Sequence, residues 1–189
     1  MKPDNFLEWL HVIEKMKCNF RHSKTSCKRD ESVAEHSYRL ILMAYVLKDM
    51  IPDVDMSKVV EMCIVHDIGE AITGDIPSFE KTKKHEETEM KEVLEFIQKL
   101  PKERYLHIKS LFEEMEQKKT KEAKVFKALD KMEAVIQHNE ADISTWLDIE
   151  YDLQKTYGIE EAEPFEFLKD LRQQVLKDTE EKIEKEVKV

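Results

Sequence analysis

The apolar and polar positions of the chain divide it into helical stretches separated by short breaks. Phe6, Leu7, Leu10, Ile13 and Met16 recur at helical spacing and predict an amphipathic helix over residues 4–17, with Asp4 placed to cap it. The next stretch, CNFRHSKTSCKRDES (residues 18–32), loses that period and reads as a basic loop carrying Arg21, Lys24, Lys28 and Arg29. Ser32 followed three residues later by Glu35 has the form of a capping box. It opens a helix through Tyr38, Leu40, Ile41, Ala44, Tyr45 and Leu47 that stops at Ile51-Pro52, so His36 falls in its first turn. A third helix is expected from about Asp55–Ser57 to Ala71, broken by Thr73, Gly74 and Pro77. Its apolar residues occupy nearly every face and mark it as the central helix. Helices over 82–99 and 102–117 follow, divided by Pro101. A further one spans 120–140, where Asp130 interrupts the apolar set Ala123, Phe126, Leu129, Met132, Ala134, Val135 and Ile136. From Pro164 to Val189 an amphipathic helix passes into a Lys/Glu-rich tail, expected to be solvated and partly frayed. No repeat or second domain shows: one domain is expected over 1–189, with a motif-bearing core at about 19–140 and a C-terminal helix and tail at 164–189.

Composition supports the helical reading. In 189 residues only 3 are Gly and 5 Pro, too few for a turn-rich β fold, so the expected class is all-α. The net charge of −10 argues against a surface that binds polymeric nucleic acid through many phosphates, while leaving room for one local basic pocket. No segment has the composition of a signal peptide or the roughly 18 apolar residues of a membrane span. The expectation is a soluble, cytoplasmic protein. Cys18, Cys27 and Cys63 lack metal-knuckle spacing, and Cys63 reads as a small core residue.

Against this background the stretch VVEMCIVHDIGEAITGDIP (residues 59–77) is anomalous, because an apolar run leads directly into His66 and Asp67, with Glu70 and Asp75 close behind. Buried ionisable groups are costly unless a partner or a metal compensates them. His36, His66, Asp67 and Asp130 each interrupt an apolar pattern, on three separate helices, and are candidates for one metal site. Two imidazoles and two carboxylates suit Mn²⁺, Fe²⁺, Co²⁺, Ni²⁺ or Zn²⁺ and leave open positions for water. Each is also readable as an ordinary hydrogen-bonded residue.

AEHS at 34–37, VHDIGEAITGDIP at 65–77 and ALDKMEAVIQ at 128–137 resemble the H…HD…D pattern of the HD-domain metal-dependent phosphohydrolases. The resemblance is to the branch holding bacterial 5′-deoxynucleotidases and small HD-domain relatives, and runs from about Asn19 to Asn139. It implies a helical bundle with one divalent transition metal between central helices, held by His36, His66, Asp67 and Asp130, and a small nucleotide substrate. It also implies a possible homodimer, as in related nucleotidases.

Phosphate-monoester hydrolysis needs a nucleophile and charge neutralisation, both of which a divalent ion provides. Glu70, three residues after Asp67 and close to one helical turn away, is placed to orient or deprotonate the attacking water; its alternative is a surface carboxylate. By resemblance Asp75 belongs to the active site as a general acid for the leaving 5′-oxygen, with turn stabilisation before Ile76-Pro77 as the rival. An Arg at the position matching Arg21 binds the substrate phosphate in the deoxynucleotidases, where its fork can hold two oxygens. The following residue in those enzymes is a Trp associated with rejecting ribonucleotides; here it is His22, which leaves preference for deoxyribose open.

Thr73 and Lys81 or Lys83 lie near the same loop, with solvated positions as the default, and Trp9 and Trp146 read as packing residues. A two-metal HD enzyme acting on triphosphates or phosphodiesters would use further histidines, for which His85 and His107 are the candidates; both read more naturally as surface residues. A non-catalytic metal- or nucleotide-binding protein is the remaining alternative.

Overall fold

The structure, a computed structural model, describes residues 1–186. Its elements are α1 (Pro3–Ile13), β1 (Phe20–Lys24), β2 (Asp30–Ser32), α2 (Val33–Val46), α3 (Met56–Val65), α4 (Glu70–Thr73), α5 (Lys83–Ile97), α6 (Lys102–Gln117), α7 (Lys121–Glu140), α8 (Glu150–Thr156), α9 (Ile159–Ala162) and α10 (Glu166–Glu186), with short 3₁₀ turns at Glu14–Lys17 and Ile143–Thr145. It is an all-α bundle carrying one small hairpin.

The capping box forms. Ser32 Oγ accepts from Glu35 N at 3.3 Å, and Glu35 Oε2 accepts from Ser32 N at 3.0 Å. From that start α2 buries Val33, His36, Ser37, Leu40 and Ala44, one face at helical period. Asp55 caps α3 by accepting from Ser57 N and Lys58 N, and Thr120 caps α7 by accepting from Ala123 N.

Four sequence expectations need correction. First, the basic segment is not simply a loop: β1 and β2 pair antiparallel, with Phe20 opposite Ser32 and Lys24 opposite Asp30. Its strands are too polar to show alternation, and one of the bonds that fix it is non-local: Gln137 Nε2 of α7 donates to Lys24 O at 2.7 Å.

Second, the expected 55–71 helix breaks at His66. Residues 65–71 close through i→i+3 bonds, among them Ile68 N to Val65 O at 3.2 Å and Glu70 N to Asp67 O at 3.0 Å. Such bonds tighten the winding. The chain therefore changes pitch at the His-Asp pair before α4 resumes.

Third, the central helix is α7 rather than α3. α7 packs against α2, α3, α6, α9, α10 and β1, while α3 leaves Ile64 exposed. Fourth, the unassigned stretch after residue 140 folds into α8 and α9. Gly158, at φ 83°, ends α8, and its missing Cβ leaves room for Lys131 on α7. α10 stays helical to Glu186, burying Leu168, Arg172, Val175 and Thr179; the end of the expected frayed tail, residues 187–189, lies outside the described residues.

Candidate functional site

α2, the α3–α4 corner and α7 meet at one point, where His36, His66, Asp67 and Asp130 converge. His36 Nε2 stands 3.4 Å from His66 Nε2, 3.8 Å from Asp67 Oδ2 and 3.3 Å from Asp130 Oδ1. His66 Nε2 is 2.9 Å from Asp67 Oδ2 and 4.0 Å from Asp130 Oδ1. Ligand atoms about 2.0–2.2 Å from a common ion must lie within roughly 4.4 Å of one another, which the five separations above satisfy; His36, His66 and Asp67 form a mutually close group, and Asp130 approaches it from the side of the two imidazoles. The donor set fits a divalent ion.

Groups behind the donors fix their orientation. His66 Nδ1 donates to Cys63 O at 2.9 Å, and His36 Nδ1 is bonded to the fully buried Glu133. Each imidazole therefore turns Nε2 toward the centre, as carboxylate and carbonyl partners do in metal sites. Arg39 Nε donates to Glu133 at 2.6 Å and offsets its buried charge.

Burial and the Arg21 charge oppose protonation of His36, but Glu133 and Asp130 outweigh them and push its pKa up to about 10. Burial likewise disfavours the Asp67 anion, yet His66, His36 and Arg21 hold its carboxyl down at about 2. Asp130, buried but beside Lys127 at 2.7 Å and the two imidazoles, lies well below the usual carboxylate range. This point in the fold is built to receive positive charge.

The cluster opens into a cleft of about 290 Å³ lined by Arg21, His22, Glu70, Asp75 and Lys81 among others. The hairpin carries Arg21 inward. Of the four cations read in the loop, Lys24 pairs with Asp30, Lys28 with Asp142 and Arg29 with Glu35, whereas Arg21 Nε lies 3.4 Å from Glu31 Oε2 and makes no hydrogen bond. Arg21 alone of the four is aimed at the cleft.

Glu70 is 5% exposed and its Oε2 has no partner; burial, then the charges of Asp67 and Asp75, raise its pKa well above the usual value. Gly74, at φ 80° and ψ 162°, adopts a conformation that L side chains rarely reach, and it turns the chain so that Asp75 lines the cleft. Burial raises the Asp75 pKa as well, against the pull of Arg21. His22 Nε2 lies 3.4 Å from Glu150 Oε2, and its ring meets Phe79 edge-on.

Other candidates fall outside. Thr73 is exposed, its hydroxyl donating to Gly69 O, and Lys83 does not line the cleft. Lys81 does line it, paired with Glu89 at 2.6 Å. His85 caps α5, and His107 pairs with Glu61 at the surface. Trp9 stacks on Phe96, and Trp146 donates to His138 O. Sequence reasoning missed Glu31, Lys127 and Glu133. The one usable signal was that Glu133 follows Asp130 by three residues, a second charge on the apolar side of α7.

A helical bundle with His-Asp at a helix break and further ligands from two flanking helices defines the class, and residues 13–172 match the HD domain family. The chain belongs to that family. It is 32% identical over 143 residues to a 5′-deoxynucleotidase, HDDC2, of Dictyostelium discoideum, covering 70% of this chain and 75% of that protein. To the human 5′-deoxynucleotidase HDDC2 it is 37% identical over 119 residues, covering 60% of this chain and 55% of the relative. A predicted metal-dependent phosphohydrolase from Magnetospirillum magnetotacticum MS-1 shares the fold with a TM-score of 0.78 at 22% identity, over 95% of this chain and 93% of that one. Family and donor set together imply a divalent metal. No helix among the described residues is long and apolar enough to cross a membrane.

Proposed function

We propose that the protein is a metal-dependent phosphohydrolase that converts (deoxy)nucleoside 5′-monophosphates to nucleoside and phosphate, a 5′-nucleotidase-like phosphoric monoester hydrolase. The observation that carries this reading is the convergence of two imidazole Nε2 atoms and two carboxylates beside the half-buried guanidinium of Arg21, which lines the cleft and whose Nε makes no hydrogen bond. The names of the relatives supply the substrate class.

His36, His66, Asp67 and Asp130 hold one ion from the set Mn, Co, Fe, Ni and Zn. When bound, such an ion polarises phosphoryl oxygens and makes water a better nucleophile at neutral pH. Arg21 holds two phosphate oxygens with its fork and fixes the in-line approach. As the water oxygen bonds to phosphorus and the bond to the 5′-oxygen breaks, Glu70 takes the proton of the water. Asp75, which Gly74 turns into the cleft, gives a proton to the leaving oxygen. His22 lines the nucleoside side, where a polar ring in place of Trp admits a 2′-hydroxyl.

The test is phosphate release by metal-stripped protein resupplied with Mn²⁺, Co²⁺, Zn²⁺ or Mg²⁺, across deoxy- and ribonucleoside mono- and triphosphates. Monophosphates are expected to be cleaved only with metal, and Glu70→Gln to lower kcat by about 10²–10⁴-fold with little change in KM. Release of intact triphosphate, or none from any nucleotide, would overturn the reading.

We also infer that the chain is one HD domain acting in the cytoplasm as a homodimer. Tyr38, Leu42, Tyr45 and Val46 form an exposed stripe on α2, from 42% to 66% accessible, suited to a second copy. Sedimentation should give twice the chain mass, and Tyr45→Glu should give the single chain; a parent protein that sediments as one chain would refute the dimer.

A further inference from the structure

Part of the cleft wall is polar and comes from the C-terminal half of α7 and from α8, whose side chains the phosphate chemistry does not use. Along α7, Asp130, Ala134 and His138 follow one another at i, i+4 spacing and all line the cleft. With a rise of about 1.5 Å per residue, His138 lies roughly 12 Å along the helix from the metal-facing Asp130. That is the span from a phosphate to the far side of an attached nucleoside, and Ala134 between them leaves room for a sugar.

At that distance Glu150 is fully committed. Its Oε1 lies 2.8 Å from His138 Nε2, and its Oε2 accepts from Leu147 N at 2.7 Å. Gln154, one turn further along α8 and also lining the cleft, is not: it is 3% exposed, and its Oε1 makes no hydrogen bond. A buried acceptor without a donor is unfavourable, and a ligand that supplies one relieves the deficit. The residue is also held in place, because the buried Arg172 of α10 donates to Gln154 O at 2.8 Å and to Tyr157 O at 2.9 Å. The backbone that carries the amide is thus fixed from behind by α10.

We infer that Gln154 is a nucleobase contact, and that through it the cleft distinguishes nucleoside monophosphates from sugar phosphates that lack a base. This deepens the phosphohydrolase reading and rests on it for the position of the phosphate. A carboxamide offers a donor beside an acceptor. Every common nucleobase carries an N–H donor next to a ring or carbonyl acceptor, so Gln154 accepts all of them while a bare pentose presents no matching planar edge. The contact confers recognition of a base without strict choice among bases.

The test is equilibrium binding by calorimetry, with the full chain stripped of metal so that nothing turns over. The ligands are 2′-deoxyadenosine 5′-monophosphate and 2-deoxyribose 5-phosphate, measured on the parent and on Gln154→Met, which keeps the volume and removes the amide. The parent should bind the nucleotide more tightly than the sugar phosphate, and Gln154→Met should weaken the nucleotide about tenfold while leaving the sugar phosphate unchanged. Equal weakening of both ligands, unchanged nucleotide affinity in a variant that melts normally, or no nucleotide binding by the parent overturns the inference.

Gln154→Glu gives an independent check if the Met variant fails to fold. Exchanging the amide donor for a second acceptor should reorder the four bases toward guanine, whose edge presents two adjacent donors; an unchanged order overturns the contact. Nucleotide that binds with the expected difference but is never hydrolysed supports the base contact and removes the phosphohydrolase reading.

Discussion

Asp67→Ala is expected to abolish metal-dependent phosphate release, with a loss of at least about a thousandfold, while the protein still folds. Asp67 sits 2.9 Å from one imidazole and 3.8 Å from the other, so its removal takes a charged donor from a set of four and leaves two imidazoles and one carboxylate. A bound divalent ion contributes several kcal/mol of transition-state stabilisation, and each 1.4 kcal/mol or so is tenfold in rate, which gives the expected scale. Folding should survive because the side chain is small, lies at a cleft and belongs to no hydrophobic cluster. Two measurements separate the explanations. Saturating Mn²⁺ should raise the melting temperature of the parent, since a ligand that binds only the native state stabilises it. It should leave that of Asp67→Ala unchanged. A variant that keeps both its metal-induced stabilisation and its activity would remove Asp67 from the ion and, with it, the mechanism proposed for this cleft.

Arg21→Lys should lower kcat/KM for a nucleoside monophosphate by about a hundredfold even though the charge is retained. Burial works against the charge of the guanidinium, and Asp67, Glu133, Asp75 and Glu31 together outweigh it. Lysine preserves that balance, so the buried acids keep a cation and the fold keeps its compensation. What lysine cannot preserve is the planar fork that grips two oxygens at once. Misplacing a reacting group by about 1 Å is enough for losses near 10²-fold. Steady-state kinetics with monophosphate, together with inhibition by inorganic phosphate, read the effect; both should weaken. Activity within a few-fold of the parent would mean that Arg21 serves as a plain counter-charge to Glu31 and Asp67.

These two residues also show how unevenly the site was legible. Asp67 declared itself by following an apolar run most of which is buried, Val59, Met62, Cys63 and Val65 among it. Arg21 did not: among Arg21, Lys24, Lys28 and Arg29 nothing local separates the one that faces the cleft from the three that pair with Asp30, Asp142 and Glu35. The family resemblance singled out Arg21. The physical reason is the hairpin, whose register places Arg21 and Ser23 toward Glu31 and whose first strand is bonded at Lys24 O by Gln137 of α7, more than a hundred residues away in the chain. The break at His66 was hidden for a related reason. Ile68, Gly69, Glu70 and Ala71 suit a continued helix in isolation, and only packing selects the tighter i→i+3 winding.

The sequence by itself determined the all-α class, the capping-box start of α2 that puts His36 in a first turn, and most helix limits to within a few residues, and it offered as candidates the four side chains that converge. Those features follow from local period, capping chemistry and the cost of burying charge, all of which are carried by residues close together in the chain. Only the tertiary structure decided that α7 is the central helix, that Glu133 turns His36 toward the shared centre, that a polar stretch forms a strand pair, and that Gln154 faces the cleft with an unpartnered oxygen. Each of these depends on which distant element lies opposite, and a side chain's partner across the core leaves no period in its own neighbourhood.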